Sequence, residues 1–308
     1  MRFISNSIGC VSLIVLLVSL AMSGCTSVSH VNASSIQDLK NLSYQGIYAE
    51  PVTLKNGIYE GRPFVAGGAS RPRVQFIEQL MVSGDMTGDG NDEAAVFLMA
   101  SSGGSGSYTY LAIVTKNGSS YQNIATKNLG DRVQVRALRL AEGTLILDFI
   151  TAGPDDALCC PSLKMRNTYR LVAGQLKQIT DKQMGPFSLR DLDGMKWSLS
   201  ELTQNEPVPP QVTVTAVFDG NRLSGSSGCN RYFNDIKGSG PQDIVIGTGG
   251  VTRMMCPEPI MQVEDRYLAA LQKVGQFGFM FGQLMLSYED GGKQQRLLFI
   301  PRQDEIAQ

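Results

Sequence analysis

The sequence predicts a mainly β protein, of the α+β class, in which two β-rich domains follow an N-terminal leader and a tether. Three observations support this fold class. Most of the chain consists of apolar runs of about four to eight residues separated by glycine-containing turns, which is typical of strands and hairpins. Helical spacing of apolar residues marks one segment, residues 257–274. A chain of 308 residues is long enough for two domains of ordinary size.

The N-terminus has the pattern of a lipoprotein leader. Within residues 1–24, Arg2 precedes an apolar stretch that is shorter than the roughly 20 residues needed to cross a bilayer. This pattern predicts a signal peptide, with an uncleaved membrane anchor as the alternative. Residues 21–25, AMSGC, resemble a bacterial lipobox, and the resemblance implies that Cys25 becomes the lipidated first residue of the mature protein. Acyl chains on Cys25 would attach the protein to a membrane.

The same resemblance predicts a compartment. Thr26 stands where an aspartate would signal retention in the inner membrane, so we expect a lipid-anchored outer-membrane protein that faces the periplasm. Residues 25–39 are rich in serine and asparagine, which predicts a tether. The formal net charge of -1 gives no basic footprint, and no nucleic-acid partner is expected.

Histidine content restricts the chemistry that the chain can perform. The only histidine is His30, which lies in the predicted tether. Ser-His-Asp triads, Cys-His pairs and histidine zinc sites therefore have no imidazole in either domain. Catalysis would have to rely on carboxylates, lysine or a cofactor.

Residues 40–182 are predicted to form the first β-rich domain. Its apolar runs are LMV, AAVFLMA, YTYLAIVT, VQVRALRL, TLILDFIT and TYRLV. A turn at Glu142-Gly143 is expected to join two of these runs in a hairpin. Residues 179–189, ITDKQMGPFSL, predict a linker to the second domain. Much of this half also looks like an uncharacterised lipoprotein domain of bacterial envelopes, a resemblance that implies no established activity.

An acidic, glycine-rich loop within SGDMTGDGNDEAAVF, residues 83–97, is the candidate metal site of this domain. Oxygen-bearing residues occupy alternate positions, and Gly90 permits a bend that would let their oxygens converge on a calcium ion. The loop resembles the calcium loops of FG-GAP repeats. The alternative is a polar turn whose side chains bond their own backbone. The candidate calcium ligands are Asp85, Thr87, Asp89, Asn91 and Glu93.

Four cysteines remain outside the leader and the lipidation site. An even number in an oxidising compartment favours disulfides over free thiols. Cys229 and Cys256 fall in one predicted domain, and we expect them to pair. Cys159 and Cys160 are adjacent, and three states remain open for them: a vicinal disulfide, free thiols, or bonds to other partners.

Residues 187–303 contain the motifs MKWSLSEL, RLSGSSGCNRYF, DIVIGTGGVTRMMC, EDRYLAALQKV and GQLMLSY, in that order. This order resembles the META domain family, to which HslJ-like heat-shock lipoproteins belong. The resemblance implies a partly open β-barrel or meander with one helix packed against it. The residues that carry the family motif are Trp197, Gly228, Cys229, Asn230, Thr252, Met255 and Cys256.

Side-chain chemistry alone explains much of this motif as structure. Asn230 can bond nearby backbone groups, and the serines of GSSG have no histidine base. Arg231 and Arg253 are candidates to meet an anionic ligand, with surface ion pairs as the alternative. Four acidic residues are interpreted as solvated helix and loop charges: Asp243, Glu258, Glu264 and Asp265.

These observations predict a non-enzymatic outer-membrane lipoprotein that contributes to envelope integrity or to stress and antibiotic tolerance, as the META resemblance implies. One alternative is a pilot-like assembly or binding module for another envelope protein. A second alternative is a carboxylate-based cell-wall hydrolase, which requires two acidic residues facing each other in a cleft about 5 to 9.5 Å apart. Calcium is the single cofactor candidate.

Overall fold

The computed structural model describes residues 33–118, 120–157 and 160–302. The predicted leader, Cys25 and Cys159 lie outside the described residues. The helices are α1 (Ala33–Leu39) and α2 (Glu258–Leu271), and one 3-10 turn spans Leu189–Leu192. Among the described residues, no helix has both the length and the apolar character to cross a membrane.

The strands confirm the predicted mainly β fold class. In chain order they are β1 (Ser43–Tyr44), β2 (Val52–Thr53), β3 (Ile58–Glu60), β4 (Arg73–Gly84), β5 (Glu93–Ser101), β6 (Tyr108–Asn117), β7 (Ser120–Asp131), β8 (Gln134–Ala141), β9 (Thr144–Thr151), β10 (Leu163–Val172), β11 (Gln175–Pro186), β12 (Lys196–Thr203), β13 (Glu206–Pro207), β14 (Thr215–Asp219), β15 (Arg222–Ser226), β16 (Arg231–Lys237), β17 (Val245–Val251), β18 (Val274–Met280), β19 (Gln283–Asp290) and β20 (Lys293–Pro301).

Two antiparallel sheets form the first domain. The order β3-β4-β5-β6-β7 makes a five-stranded sheet, and β8-β9-β10-β11 makes a four-stranded sheet. Their facing sides share a core that includes Phe97, Leu111, Leu147 and Tyr169. The apolar runs of the sequence supply this core, because each run forms all or part of a strand.

The second face of the five-stranded sheet is also buried. Helix α1 and the β1-β2 ribbon cover it, and a separate core forms there around Leu39, Val96 and Leu98. Burial on both faces explains why β5, EAAVFLMAS, is continuously apolar and does not alternate. Residues 33–39, expected to belong to the tether, are helical instead. The burial of Leu39 in this core holds the helix against the sheet.

The segment expected to be a linker is instead the end of β11. Thr180 and Lys182 pair with Thr168 and Arg166 of β10, and the strand continues to Pro186. Phe187 follows at once and is buried in the core of the second domain. Both faces of β11 are largely solvent-exposed, so the segment lacks the apolar alternation that marks a strand with one buried face.

The second domain is one nine-stranded sheet that almost closes on itself. Its order is β17-β16-β15-β14-β12-β20-β19-β18, with β13 paired to β12. Residues 242–244 close one end of the sheet against β18, through the bonds from the Ile244 N–H to the Gly275 carbonyl (3.1 Å) and from the Phe277 N–H to the Gln242 carbonyl (2.9 Å). Helix α2 packs its buried stripe, which includes Val263, Tyr267 and Leu271, into the same core.

The two domains are packed together through the turn between β18 and β19. Phe281 of this turn is 7% exposed and lies in the core of the first domain, with its ring centroid 5.6 Å from that of Phe97. The Phe279 N–H donates to Gln134 Oε1 (2.8 Å), and the Gly282 N–H donates to the Val135 carbonyl (3.0 Å). Hydrogen bonds and a shared core therefore join the domains.

Candidate functional site

The family-motif residues other than Trp197 lie at, or directly beside, the turn between β15 and β16. Residues 227–230 form this turn, which closes with a bond from the Ser227 N–H to the Asn230 carbonyl (2.8 Å). Gly228 has φ +123°, a backbone conformation that favours glycine. A side chain there would also approach Val212 Cγ1 to 3.2 Å. The sequence Ser-Gly-Cys-Asn therefore suits the geometry of the turn.

Glu264 is the centre of this cluster, which corrects its interpretation as a solvated charge. It is 3% exposed. Its Oε2 accepts bonds from Ser227 Oγ (2.7 Å), from the Cys229 N–H (3.2 Å) and from the Asn230 N–H (2.7 Å). Its Oε1 accepts a bond from Asn230 Nδ2 (2.6 Å). Helix α2 is thus attached to the turn by one buried carboxylate, and four hydrogen bonds compensate for its desolvation.

These bonds determine the protonation of Glu264. Burial raises the pKa of the carboxyl, and the bonds from the Ser227 hydroxyl, the Asn230 side chain and the Asn230 and Cys229 N–H groups lower it by more. The net pKa is below the ordinary value, so the group stays ionised near neutral pH. A carboxylate that is ionised near neutral pH is poorly suited to serve as a general acid there.

Asn230 connects the turn to the following loop, residues 252–256. Its Oδ1 accepts bonds from Thr252 Oγ1 (2.8 Å) and from the Met254 N–H (2.6 Å), while its Nδ2 donates to the Met254 carbonyl (3.2 Å). The predicted Cys229–Cys256 disulfide is present, with Cα atoms 5.9 Å apart. The loop is therefore held to the turn by a covalent bond and a saturated amide.

The side chains of this disulfide-linked loop face solvent. Met254 is 54% exposed and Met255 is 91% exposed. Two exposed methionines on a firmly held loop form an adaptable apolar contact surface. Trp197, the remaining motif residue, lies apart from the hydrogen-bonded cluster: it is buried in β12, with its ring centroid 6.1 Å from that of Phe279.

A groove of about 600 Å³ lies beside the loop, between β17 and the C-terminal part of α2. Arg253 is the only charged residue among those that line it. Neither Arg253 nor Arg231 forms an ion pair with a described residue. The two facing carboxylates that a glycoside hydrolase requires are absent from the lining of this groove. Its other lining residues include Tyr232, Asn234, Gly249, Val251, Leu268 and Gln272.

The candidate calcium loop has the hydrogen bonds of a polar turn. Asp85 accepts bonds from the N–H groups of Gly88 (2.6 Å) and Gly90 (3.0 Å), which lower the pKa of its carboxyl. Asp89 Oδ1 accepts a bond from the Asn91 N–H (2.8 Å). Thr87 lies beside Asp85, with a long contact from Oγ1 to Oδ1 (3.5 Å).

Glu93 is separated from the exposed part of this loop by burial. It is 1% exposed and accepts bonds from the Met86 N–H (2.9 Å) and from Thr115 Oγ1 (3.3 Å). Within the ranges that the structure describes, no three His, Cys, Asp or Glu side chains are grouped as a metal site. Calcium binding by Asp85 and its neighbours stays a prediction, because carboxylates in such a turn can still be drawn to a cation.

Of the two adjacent cysteines, Cys159 and Cys160, the structure describes only Cys160. Cys160 is disulfide-bonded. Cys159 lies outside the described residues, and so does Cys25 with the predicted leader. The disposition of the adjacent pair and the lipidation of Cys25 therefore stay predictions.

The sequence contained a signal for Glu264 that the charge-based interpretation missed. Apolar residues at 260, 263, 267 and 271 define one face of α2, and position 264 falls on that face at i+4 from 260. A carboxylate within an apolar stripe is buried with the stripe, and a buried carboxylate requires hydrogen-bond donors. The donors come from the Ser-Gly-Cys-Asn turn, whose distance in sequence concealed the pairing.

Comparisons with known proteins give one family match and two similar solved structures. The curated proteins contain no match. An NMR structure of a protein from Burkholderia xenovorans is 26% identical over 41% of this chain and 98% of its own, with a TM-score of 0.33. A second NMR structure is 24% identical over 37% of this chain and 93% of its own, with a TM-score of 0.31. The META domain family model matches residues 190–304, and this C-terminal part of the chain is a META domain.

Proposed function

We propose that the protein is a non-enzymatic outer-membrane lipoprotein that supports envelope integrity and tolerance of stress and antibiotics. The observation that carries the proposal is that the family-motif residues have structural roles: they hold a turn, a helix and a loop together. The one carboxylate of the motif cluster, Glu264, is ionised and fully engaged with Ser227, Cys229 and Asn230. These residues hold an exposed loop in place, which is what a binding surface requires.

A deletion strain tests the cellular role. We expect the strain to become more sensitive to heat, to detergents and to large hydrophobic antibiotics, and we expect the wild-type gene to restore tolerance. Unchanged sensitivity under all three challenges would count against the proposal.

Two arginine variants connect that phenotype to the groove. Arg253 lines the groove, whereas the neighbouring Arg231 does not. Both are exposed and neither forms an ion pair with a described residue. We expect Arg253→Glu to fail in restoring tolerance and the matched Arg231→Glu to restore it. Equal restoration by both variants would exclude the groove from the function.

The membrane anchor is tested separately. Metabolic labelling with a palmitate analogue should mark the wild-type protein, and Cys25→Ser should abolish the label and release the protein from the outer-membrane fraction. A Cys25→Ser protein that keeps the label and its location would contradict the lipid anchor and leave the groove experiments unaffected.

A second candidate function, a docking module for another envelope protein, is favoured by the position of the groove. Strand β17 ends the sheet, so its outer edge beyond residue 246 has no strand partner among the described residues. An unpaired strand edge beside a groove can accept an extended peptide segment. Photo-crosslinking from position 253 in intact cells should capture one defined partner band. A pattern without such a band would argue against docking at this groove.

A further inference from the structure

We propose that the exposed face of the four-stranded sheet in the first domain binds anionic lipid headgroups. We call this surface the cationic face. The proposal concerns a different domain from the groove and does not depend on the function proposed for the META domain. Its cationic side chains are Arg139 on β8, Arg166 and Arg170 on β10, and Lys177 and Lys182 on β11.

The strand register places like charges directly opposite each other on this face. Arg166 pairs with Lys182, and Arg170 pairs with Lys177. Like charges at directly opposed positions of an antiparallel pair destabilise the sheet. The arrangement is therefore a cost to the fold, and two such pairs occur on one pair of strands.

Only part of this positive charge is neutralised within the face. Asp148 accepts bonds from Arg166 Nε (2.6 Å) and Nη2 (2.9 Å) and from Arg139 Nη2 (2.8 Å). Arg170 Nε donates to the Thr144 hydroxyl (2.9 Å), which carries no charge. Among the described residues, Asp148 is therefore the one carboxylate that bonds any of the five cations of the face.

The two lysines are free to meet an external anion. Lys177 and Lys182 are exposed, and their side chains have no hydrogen bond or ion pair with any residue that the structure describes. The whole chain has a formal net charge of -1, so the positive excess on this face is a local concentration and not a consequence of composition.

Protection of a sheet edge does not explain the choice of lysine. Strand β11 is the edge of its sheet, and charged side chains on an edge strand prevent association with other strands. Glutamate at positions 177 and 182 would protect the edge equally and would also form pairs with Arg170 and Arg166. The sequence places lysine at both positions, which favours an anionic partner outside the chain.

A lipid surface suits the shape of this face better than a compact ligand does. The cations are distributed over three strands of an open sheet, and β11 also exposes Met184 (41%), two residues after Lys182. A basic residue close to an anionic membrane strengthens binding by about fivefold. Basic residues spread over a broad surface, with an exposed apolar side chain beside them, match a layer of anionic headgroups.

Vesicle binding of the full chain tests the proposal. Wild type is compared with the variant Lys177→Glu/Lys182→Glu and with the control Lys237→Glu/Lys293→Glu. The two variants undergo the same change in net charge, and all four lysines are exposed. Each protein is titrated with phosphatidylcholine vesicles that contain or lack phosphatidylglycerol. Because all variants keep the same N-terminal residues, the ratio of the two Kd values isolates the contribution of the charged surface.

We expect wild type to bind the anionic vesicles more tightly, with an affinity that falls as salt increases. Lys177→Glu/Lys182→Glu should lower this affinity about tenfold or more, while the control stays within about twofold of wild type. The melting temperature of Lys177→Glu/Lys182→Glu should equal or exceed that of wild type, because each glutamate gains an opposite arginine. A loss of binding together with a retained fold therefore cannot come from unfolding.

Three outcomes would overturn the proposal. One is a wild-type protein that does not distinguish the two vesicle compositions. Another is a control variant that loses as much affinity as the β11 variant. The third is binding to soluble polyglutamate with no preference for anionic vesicles, which would assign the face to an acidic protein partner.

Discussion

Glu264 shows how one side chain sets the local structure of the META domain. Its carboxylate receives four hydrogen bonds from one turn, and the same turn is bonded through Asn230 to the loop that carries Met254. In the unfolded chain, water can accept hydrogen bonds from the donors of this turn. In the folded state these donors are buried, so they depend on Glu264 as their acceptor. Loss of its charge therefore affects both the turn and the loop.

Substitution of Glu264 by glutamine is expected to destabilise the protein by about 2 to 4 kcal/mol. The amide retains the shape of the side chain, but its NH₂ group meets donors where an oxygen accepted bonds. Chemical denaturation measures the change in the free energy of unfolding. Asp265→Asn is the matched control, because Asp265 is an exposed neighbour on the same helix, and it should change stability by less than about 0.5 kcal/mol. Equal effects of both substitutions would contradict a structural role for Glu264.

Acid sensitivity should depend on the same carboxylate. The pKa of Glu264 is lower in the folded protein than its ordinary value of 4.5. The stabilisation from this group is therefore complete above that value and is lost as pH falls through the folded pKa. Denaturation series between pH 7 and about pH 3 should show that wild type loses more stability on acidification than Glu264→Gln does. Parallel curves for the two proteins would show that Glu264 titrates alike in the folded and unfolded states.

At the scale of elements, the pattern of apolar residues predicted the strands and the helix that bury at least one face. The hairpin at Glu142-Gly143 formed as expected, and both residues adopt positive φ angles (49° and 68°) that a tight turn requires. Helix α2 begins directly after Pro257, but it ends at Leu271, and Val274 starts β18. Strand β11 was not predicted, because side chains on both of its faces are largely exposed and leave no periodic signal.

The acidic loop between β4 and β5 leads to a prediction about calcium. Asp85 and Asp89 are exposed carboxylates whose bonds to loop N–H groups keep their pKa values low, so both are charged and accessible to a cation. We expect millimolar calcium to give binding heat in calorimetry and to raise the melting temperature by ligand linkage. Asp85→Ala/Asp89→Ala should abolish both effects. Absence of heat and of a melting shift in wild type would reduce the loop to a polar turn.

At the scale of the whole molecule, the association of the two domains is the feature that sequence reasoning could not supply. Gln134 and Phe281 are 147 positions apart in the chain, and neither occurs in a motif that links it to the other domain. They join the two domains only because the folded chain brings the β18-β19 turn of the META domain into the core of the first domain. Ile150 of the first domain lies reciprocally in the META core. Long-range contacts of this kind have no local pattern.

Phe281 is therefore expected to couple the unfolding of the two domains. Phe281→Ala removes a buried ring from the first-domain core and should destabilise the protein by about 3 to 5 kcal/mol. We expect wild type to unfold in one transition, detected alike by calorimetry and by the fluorescence of Trp197, the only tryptophan, which is buried in the META domain. In Phe281→Ala the two signals should separate, because the domains lose their shared core and unfold at different temperatures.

Phe277→Ala supplies the comparison that separates coupling from stability. Phe277 is 1% exposed and lies within the META core beside Phe187, with ring centroids 5.0 Å apart. Its truncation also creates a cavity, but it leaves Phe281 between the domains. We expect this variant to melt at a lower temperature while calorimetry and fluorescence still coincide. Coincident transitions in Phe281→Ala as well would mean that the remaining contacts between the domains, among them the hydrogen bonds to the Val135 carbonyl and to the Gln134 side chain, are sufficient to make the two domains one cooperative unit.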